Sequence, residues 1–125
     1  MPQIIVFVHH DSGETGARFL AALEKKVNHT KLKQCTSVDA LLTALADTKT
    51  ILGREVVVLL ADTAERLDQL YQEKAVFQDR KTVMVLFSKE AEETSRVHRF
   101  FPRYFTYIED GYDDLCDVLN KMVIQ

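Results

Sequence analysis

His9, His10 and Asp11 are consecutive, and they follow the apolar run Ile4-Ile5-Val6-Phe7-Val8. Two imidazoles and a carboxylate can hold a metal, and that donor set favours Zn2+, Ni2+ or Cu2+ over harder ions. A histidine beside carboxylates can also make a pH-sensitive contact. Three more apolar runs end in polar residues. Val56 to Leu60 leads to Ala61 and Asp62, Val83 to Phe87 leads to Ser88, and Tyr104 to Ile108 leads to Glu109 and Asp110. A fifth feature is Ser12-Gly13-Glu14-Thr15-Gly16. Ser12, Gly13, Thr15 and Gly16 offer hydroxyls and open backbone that could cradle a phosphate at a helix N-terminus. Glu14 opposes this, and the loop is neither a P-loop nor a G-x-G-x-x-G fingerprint.

Each feature has a structural reading, and the structural reading is the stronger one. Asp62-Thr63-Ala64-Glu65 has the spacing of a capping box, so Asp62 is expected to cap the next helix. Asp11 or Ser12 is expected to cap the helix after the first strand. Neighbouring residues on a strand point to opposite faces, so His9 and His10 can meet one ion only if the chain turns there. No nucleophile–base constellation is present. His29 and His98 have no catalytic neighbours in sequence, and His98 is expected on a solvated face. The chain is therefore read as non-enzymatic.

The elements that must position these residues follow from periodicity. Short β-branched runs bounded by turn or charged residues read as strands. Lys31-Leu32-Lys33-Gln34-Cys35 alternates like a half-exposed edge strand. Five segments carry helical spacing. Glu14 to Val27 places Ala17, Leu20, Ala21, Leu23 and Val27 on one broad face. Val38 to Ala46 does so with Val38, Leu41, Leu42 and Leu45, and Ser37 is a natural N-cap. Thr63 to Phe77 turns Leu67, Leu70, Tyr71 and Ala75 inward. Lys89 to Phe100 is thinly apolar, with Ala91, Val97 and Phe100 or Phe101, and reads as a lightly buried, mobile helix stopped by Pro102. Tyr112 to Val123 carries Leu115, Val118, Leu119 and Met122. Strict strand–helix alternation implies an α/β fold: a parallel sheet, right-handed crossovers and helices on both faces. Parallel strands bring their carboxyl ends to one edge, where ligands gather. The candidate pocket is therefore His9, His10, Asp11, Asp62, Ser88, Glu109 and Asp110.

Composition narrows the function. The 125 residues suit a single domain, 1–125, with 46% hydrophobic and 28% charged residues. A net charge of −3 without a basic stripe argues against nucleic acid. No apolar run nears the roughly 20 residues that span a bilayer. Met1-Pro2-Gln3 leads straight into a strand, so no secretory signal is read and the cytoplasm is the expected compartment. Cys35 and Cys116 form no motif and are expected to be buried free thiols. Asn28-His29-Thr30 matches a glycosylation sequon, which means nothing without secretion.

The element order, the length, the strand spacing and the segment Thr36-Ser37-Val38-Asp39-Ala40-Leu41-Leu42-Thr43-Ala44-Leu45 resemble the receiver domain of two-component response regulators. The resemblance covers essentially the whole chain. It implies a three-layer, flavodoxin-like, doubly wound sheet of five parallel strands in the order 2-1-3-4-5. It matches Asp62 to the phosphoacceptor aspartate. Receivers hold Mg2+ with an acidic pair after the first strand; here those positions read His9-His10, with Asp11 one place on. Receivers have Thr or Ser after the fourth strand, and Ser88 is close to that place. They have Lys after the fifth, where this chain has Glu109-Asp110. The family's switch aromatic stands three residues before that Lys, as Tyr107 stands three before Asp110. A carboxylate in place of the Lys repels an acyl phosphate. At an effective dielectric near 20, one such pair at about 4 Å is worth roughly 4 kcal/mol. The resemblance, with these departures, implies a pseudo-receiver in which Asp62 is poorly phosphorylated or not at all. No cofactor is expected, Mg2+ or a transition metal being the exception to test.

Six of the eleven aromatic residues lie within 100–112. Beside a thin helix and an edge strand, not all of them can be buried. Exposed aromatics with flanking Arg are typical of protein interfaces. Phe100, Phe101, Arg103, Tyr104, Tyr107 and Tyr112 are the candidate interface. The corresponding face of receivers (fourth helix, fifth strand, fifth helix) is their usual partner surface, so a protein partner or a homodimer is expected. Three other readings stand beside this one. They are a flavodoxin-like phosphate- or nucleotide-binding domain using the loop after the first strand, a genuine phosphoacceptor regulator using Asp62, and a small metal-binding protein using His9, His10 and Asp11.

Overall fold

The computed structural model describes residues 3–27, 31–47, 55–78, 80–87, 97–100 and 102–124. The four apolar runs and the alternating segment each form a strand: β1 Gln3–Phe7, β2 Lys31–Cys35, β3 Glu55–Ala61, β4 Lys81–Leu86 and β5 Tyr104–Tyr107. All neighbours pair in parallel, in the order β2-β1-β3-β4-β5. The flavodoxin-like topology expected of the sequence is the one observed.

Strand side chains alternate between two faces, and the core divides accordingly. Ile4, Val6, Val8, Val56, Val58, Leu60, Val83 and Val85 lie on one face. Helix α1 (Gly13–Lys26) covers it with Phe19 and Leu23, and α5 (Asp113–Ile124) with Leu115, Cys116 and Leu119. Ile5, Phe7, Val57, Leu59, Ala61, Met84 and Leu86 lie on the other. There α2 (Val38–Asp47) contributes Leu41, Ala44 and Leu45, and α3 (Ala64–Gln72) contributes Leu67 and Leu70. Runs buried on both faces have no polar alternation, and so β3 and β4 read as continuous apolar stretches. The edge strand β2 differs: Lys33 and Gln34 are exposed and Cys35 is buried.

Ser37 caps α2, its Oγ accepting the Ala40 N–H at 3.1 Å. The single helix expected over 63–77 is interrupted. Glu73 leaves helical geometry, its N–H turning to the Leu70 carbonyl, and a short α4 follows (Lys74–Phe77). The break turns Phe77 into the core. Of the helix expected over 89–100, only 97–100 are among the described residues. Val97 and Phe100 there are fully buried, not lightly so. They stand three residues apart and enter the same cluster.

Cys35 and Cys116 are free and buried. Burial pushes both thiols above the ordinary cysteine range, which starves them of reactive thiolate. Ellman's reagent should therefore report almost no thiol on the native chain and both after denaturation. A fast native phase would show that one of them reaches solvent. No helix among the described residues is long and apolar enough to cross a membrane.

Candidate functional site

The chain does turn after β1. Pairing with β2 continues past the strand: Val8 N–H donates to the Cys35 carbonyl at 2.9 Å and His10 N–H to the Thr36 carbonyl at 3.0 Å. A 3-10 turn, His10–Ser12, follows at once, closed by Ser12 N–H on the His9 carbonyl at 3.0 Å. Gly13 then takes φ +59°, which favours glycine, and α1 begins. This turn brings His9, His10 and Asp11 together. The two rings stack with centroids 4.2 Å apart. His9 Nδ1 lies 3.9 Å and His10 Nε2 3.5 Å from the Asp11 carboxylate.

His9 is half-buried while His10 and Asp11 are exposed. Its Nδ1 accepts the Asp11 N–H at 3.1 Å. Burial lowers its pKa below the usual histidine value; the charge of Arg66 and His10 adds to this, and Asp11 and Asp62 oppose it. Neutral imidazole is thus the favoured form.

At the end of β3 the expected cap is absent. Thr63, not Asp62, caps α3, its Oγ1 accepting the Arg66 N–H at 3.1 Å. Asp62 turns to Arg66 instead, with Oδ1 3.1 Å from Nε. The side chains are only 8% and 10% exposed. Neither atom makes an aligned hydrogen bond, so charge rather than directional bonding holds the contact. A full charge beside it outweighs a backbone N–H as a partner for a carboxylate. The residue that the sequence reading missed is Arg66. Its signal was the four-residue spacing from Asp62, which stacks the two on one helical face.

The expected caps of α1 also fail. Ser12 occupies the N-cap position without a capping bond, because its hydroxyl donates back to the His9 carbonyl at 2.7 Å. That hydroxyl is committed inside the turn. Gly16 leaves no spare room: a Cβ there would overlap Ser12 Oγ and stand 2.6 Å from Val8 Cγ1. Gly16→Ala should accordingly cost about 1–3 kcal/mol by overpacking. Urea denaturation measures this, and a loss below about 0.5 kcal/mol would mean that the turn yields as an ordinary surface does.

Glu109 and Asp110 are exposed in a second 3-10 turn, Ile108–Asp110, beyond β5. Ser88 and Phe101 lie outside the described residues. Of the expected interface, Phe100 is core, packed on Tyr71 and Phe77 at 6.1 and 5.9 Å. Arg103 is exposed, and Tyr104, Tyr107 and Tyr112 are half-buried. Tyr112 stands edge-on to Phe19 at 5.3 Å.

Mg2+, which the receiver resemblance implies, does not fit these residues. It demands oxygen ligands in near-octahedral order. Two of the three side chains in the turn are imidazoles, and Asp62 already faces a guanidinium.

No protein-family model matches the sequence, and no curated protein does. Among solved structures, the chain is similar to the crystal structure of a response regulator receiver domain from Rhodospirillum rubrum. The two share 14% identity at a TM-score of 0.60, over 97% of this chain and 92% of that one. The chain has the fold of a receiver domain.

Proposed function

We propose that this chain is a non-enzymatic, receiver-like signalling domain in which Asp62 is not an efficient phosphoacceptor. One observation carries the reading: the Asp62 carboxylate is buried against Arg66. A phosphoacceptor must present an oxygen to an incoming phosphoryl group and share a cation with it. Here the cation is a neighbouring side chain, and the Oδ1 that faces it is shielded. Glu109 and Asp110, exposed at the same sheet edge, add negative charge where an acyl phosphate would need positive. The test is an amide NMR titration with Mg2+ followed by beryllofluoride, a phosphoryl mimic. Unchanged resonances at Asp62 and Arg66 support the reading. Saturable shifts centred on Asp62 and spreading to Tyr107 would overturn it.

Such a domain acts by contact. The surface assigned to that contact is β5 with its flanks, where Arg103 is exposed just before the strand and Tyr104, Tyr107 and Tyr112 are half-buried along and beyond it. Arg beside aromatic rings is the composition of an interface centre. Light scattering over a concentration series should reveal a dimer that Arg103→Glu weakens. A monomer at every concentration would rule out self-association through this surface.

A further inference from the structure

We infer that the turn after β1 is a binding site for a borderline divalent transition-metal ion, ligated by His9, His10 and Asp11. The three side chains can each offer one donor atom, and these atoms lie within 4.8 Å of one another. A tetrahedral site with metal–nitrogen bonds of about 2.0–2.1 Å holds its donors about 3.3 Å apart. His10 Nε2 and Asp11 Oδ1 are already 3.5 Å apart. His10 and Asp11 are exposed on the surface, so they can close the remaining gap by side-chain rotation.

The hydrogen bonds select the tautomers that such a site needs. His10 Nδ1 lies 3.3 Å from the Thr36 carbonyl, which can only accept. The proton therefore sits on Nδ1, and the Nε2 lone pair faces Asp11. A ligating histidine bound through its other nitrogen to a backbone carbonyl is the usual outer-shell arrangement. His9 Nδ1 accepts the Asp11 N–H, so its lone pair also points into the turn. A metal would displace that one N–H. An open cavity of about 210 Å3 lies beside the two imidazoles, lined by His9, His10, Ser12 and Thr36 among others. Two nitrogens and one carboxylate suit Zn2+, Ni2+ or Cu2+ and disfavour Mg2+ or Ca2+.

The deciding experiment is a Zn2+ titration of the full chain, followed by NMR of the backbone amides and imidazole rings, with Mg2+ as the control ion. The expected result is saturable 1:1 shifts at His9, His10, Asp11 and Thr36, unaffected by excess Mg2+. His10→Ala and Asp11→Asn, both at exposed positions, should each weaken Zn2+ by about tenfold or more. The site is refuted if no saturation occurs by about 1 mM Zn2+. It is equally refuted if the shifts centre on His29 or His98, or if both variants bind as the parent does.

Discussion

Arg66→Ala should destabilise the domain by about 3–5 kcal/mol, the loss seen when one member of a buried ion pair is removed. Both side chains are about nine-tenths buried, so solvent screens the pair little. The alanine strands the buried Asp62 Oδ1 at the end of β3 without the guanidinium that faces it. Removing both charges has the opposite logic. Asp62→Leu with Arg66→Met replaces the pair by apolar groups of similar size, which is commonly neutral or stabilising. Urea denaturation of the parent, Arg66→Met, Asp62→Leu and the double variant closes the cycle, and the same assay reads Arg66→Ala. A large coupling between the two sites is expected. Additive losses below about 0.5 kcal/mol would mean that water already satisfies both groups and that the pair is incidental.

The same pair marks where the sequence stops being legible. Strands β1, β3 and β4 could be read because runs buried on both faces are dominated by apolar residues. The Ser37 cap could be read because a hydroxyl before a periodic run has one common use. Asp62 offered two local patterns, a capping box to Glu65 and a helical pair to Arg66. The capping pattern is worth more on an exposed helix, where such ion pairs contribute only about 0.2–0.5 kcal/mol. Burial reverses that order, and burial comes from the packing of α3 on β3, which no local pattern encodes.

The metal-competent turn was half legible. The residue types at His9 to Asp11 were plain, but their convergence depends on a 3-10 turn, whose one sequence trace is Gly13 at positive φ. The break at Glu73 left no trace in apolar spacing, since Leu67, Leu70 and Phe77 continue to face the core on either side of it.

Phe100→Ala should also cost about 3–5 kcal/mol, the range for removing a buried aromatic ring. In sequence Phe100 is indistinguishable from an interface aromatic, lying in Arg99-Phe100-Phe101-Pro102-Arg103. In the fold it has no exposed surface, and its ring meets Tyr71 and Phe77. Gln78 also donates to the Arg99 carbonyl at 3.0 Å, so backbone and ring dock the 97–100 segment on α3 and α4 together. Truncating the ring removes the larger of the segment's two buried apolar anchors, leaving Val97 and the Gln78 hydrogen bond. The loss should appear in urea denaturation with no change in association state. Arg103→Glu, at an exposed position, should do the reverse: stability should stay within about 0.5 kcal/mol of the parent while association changes. If Phe100→Ala instead kept its stability and altered association, the ring would belong to the contact surface, and the assignment of 97–100 to the core would fail.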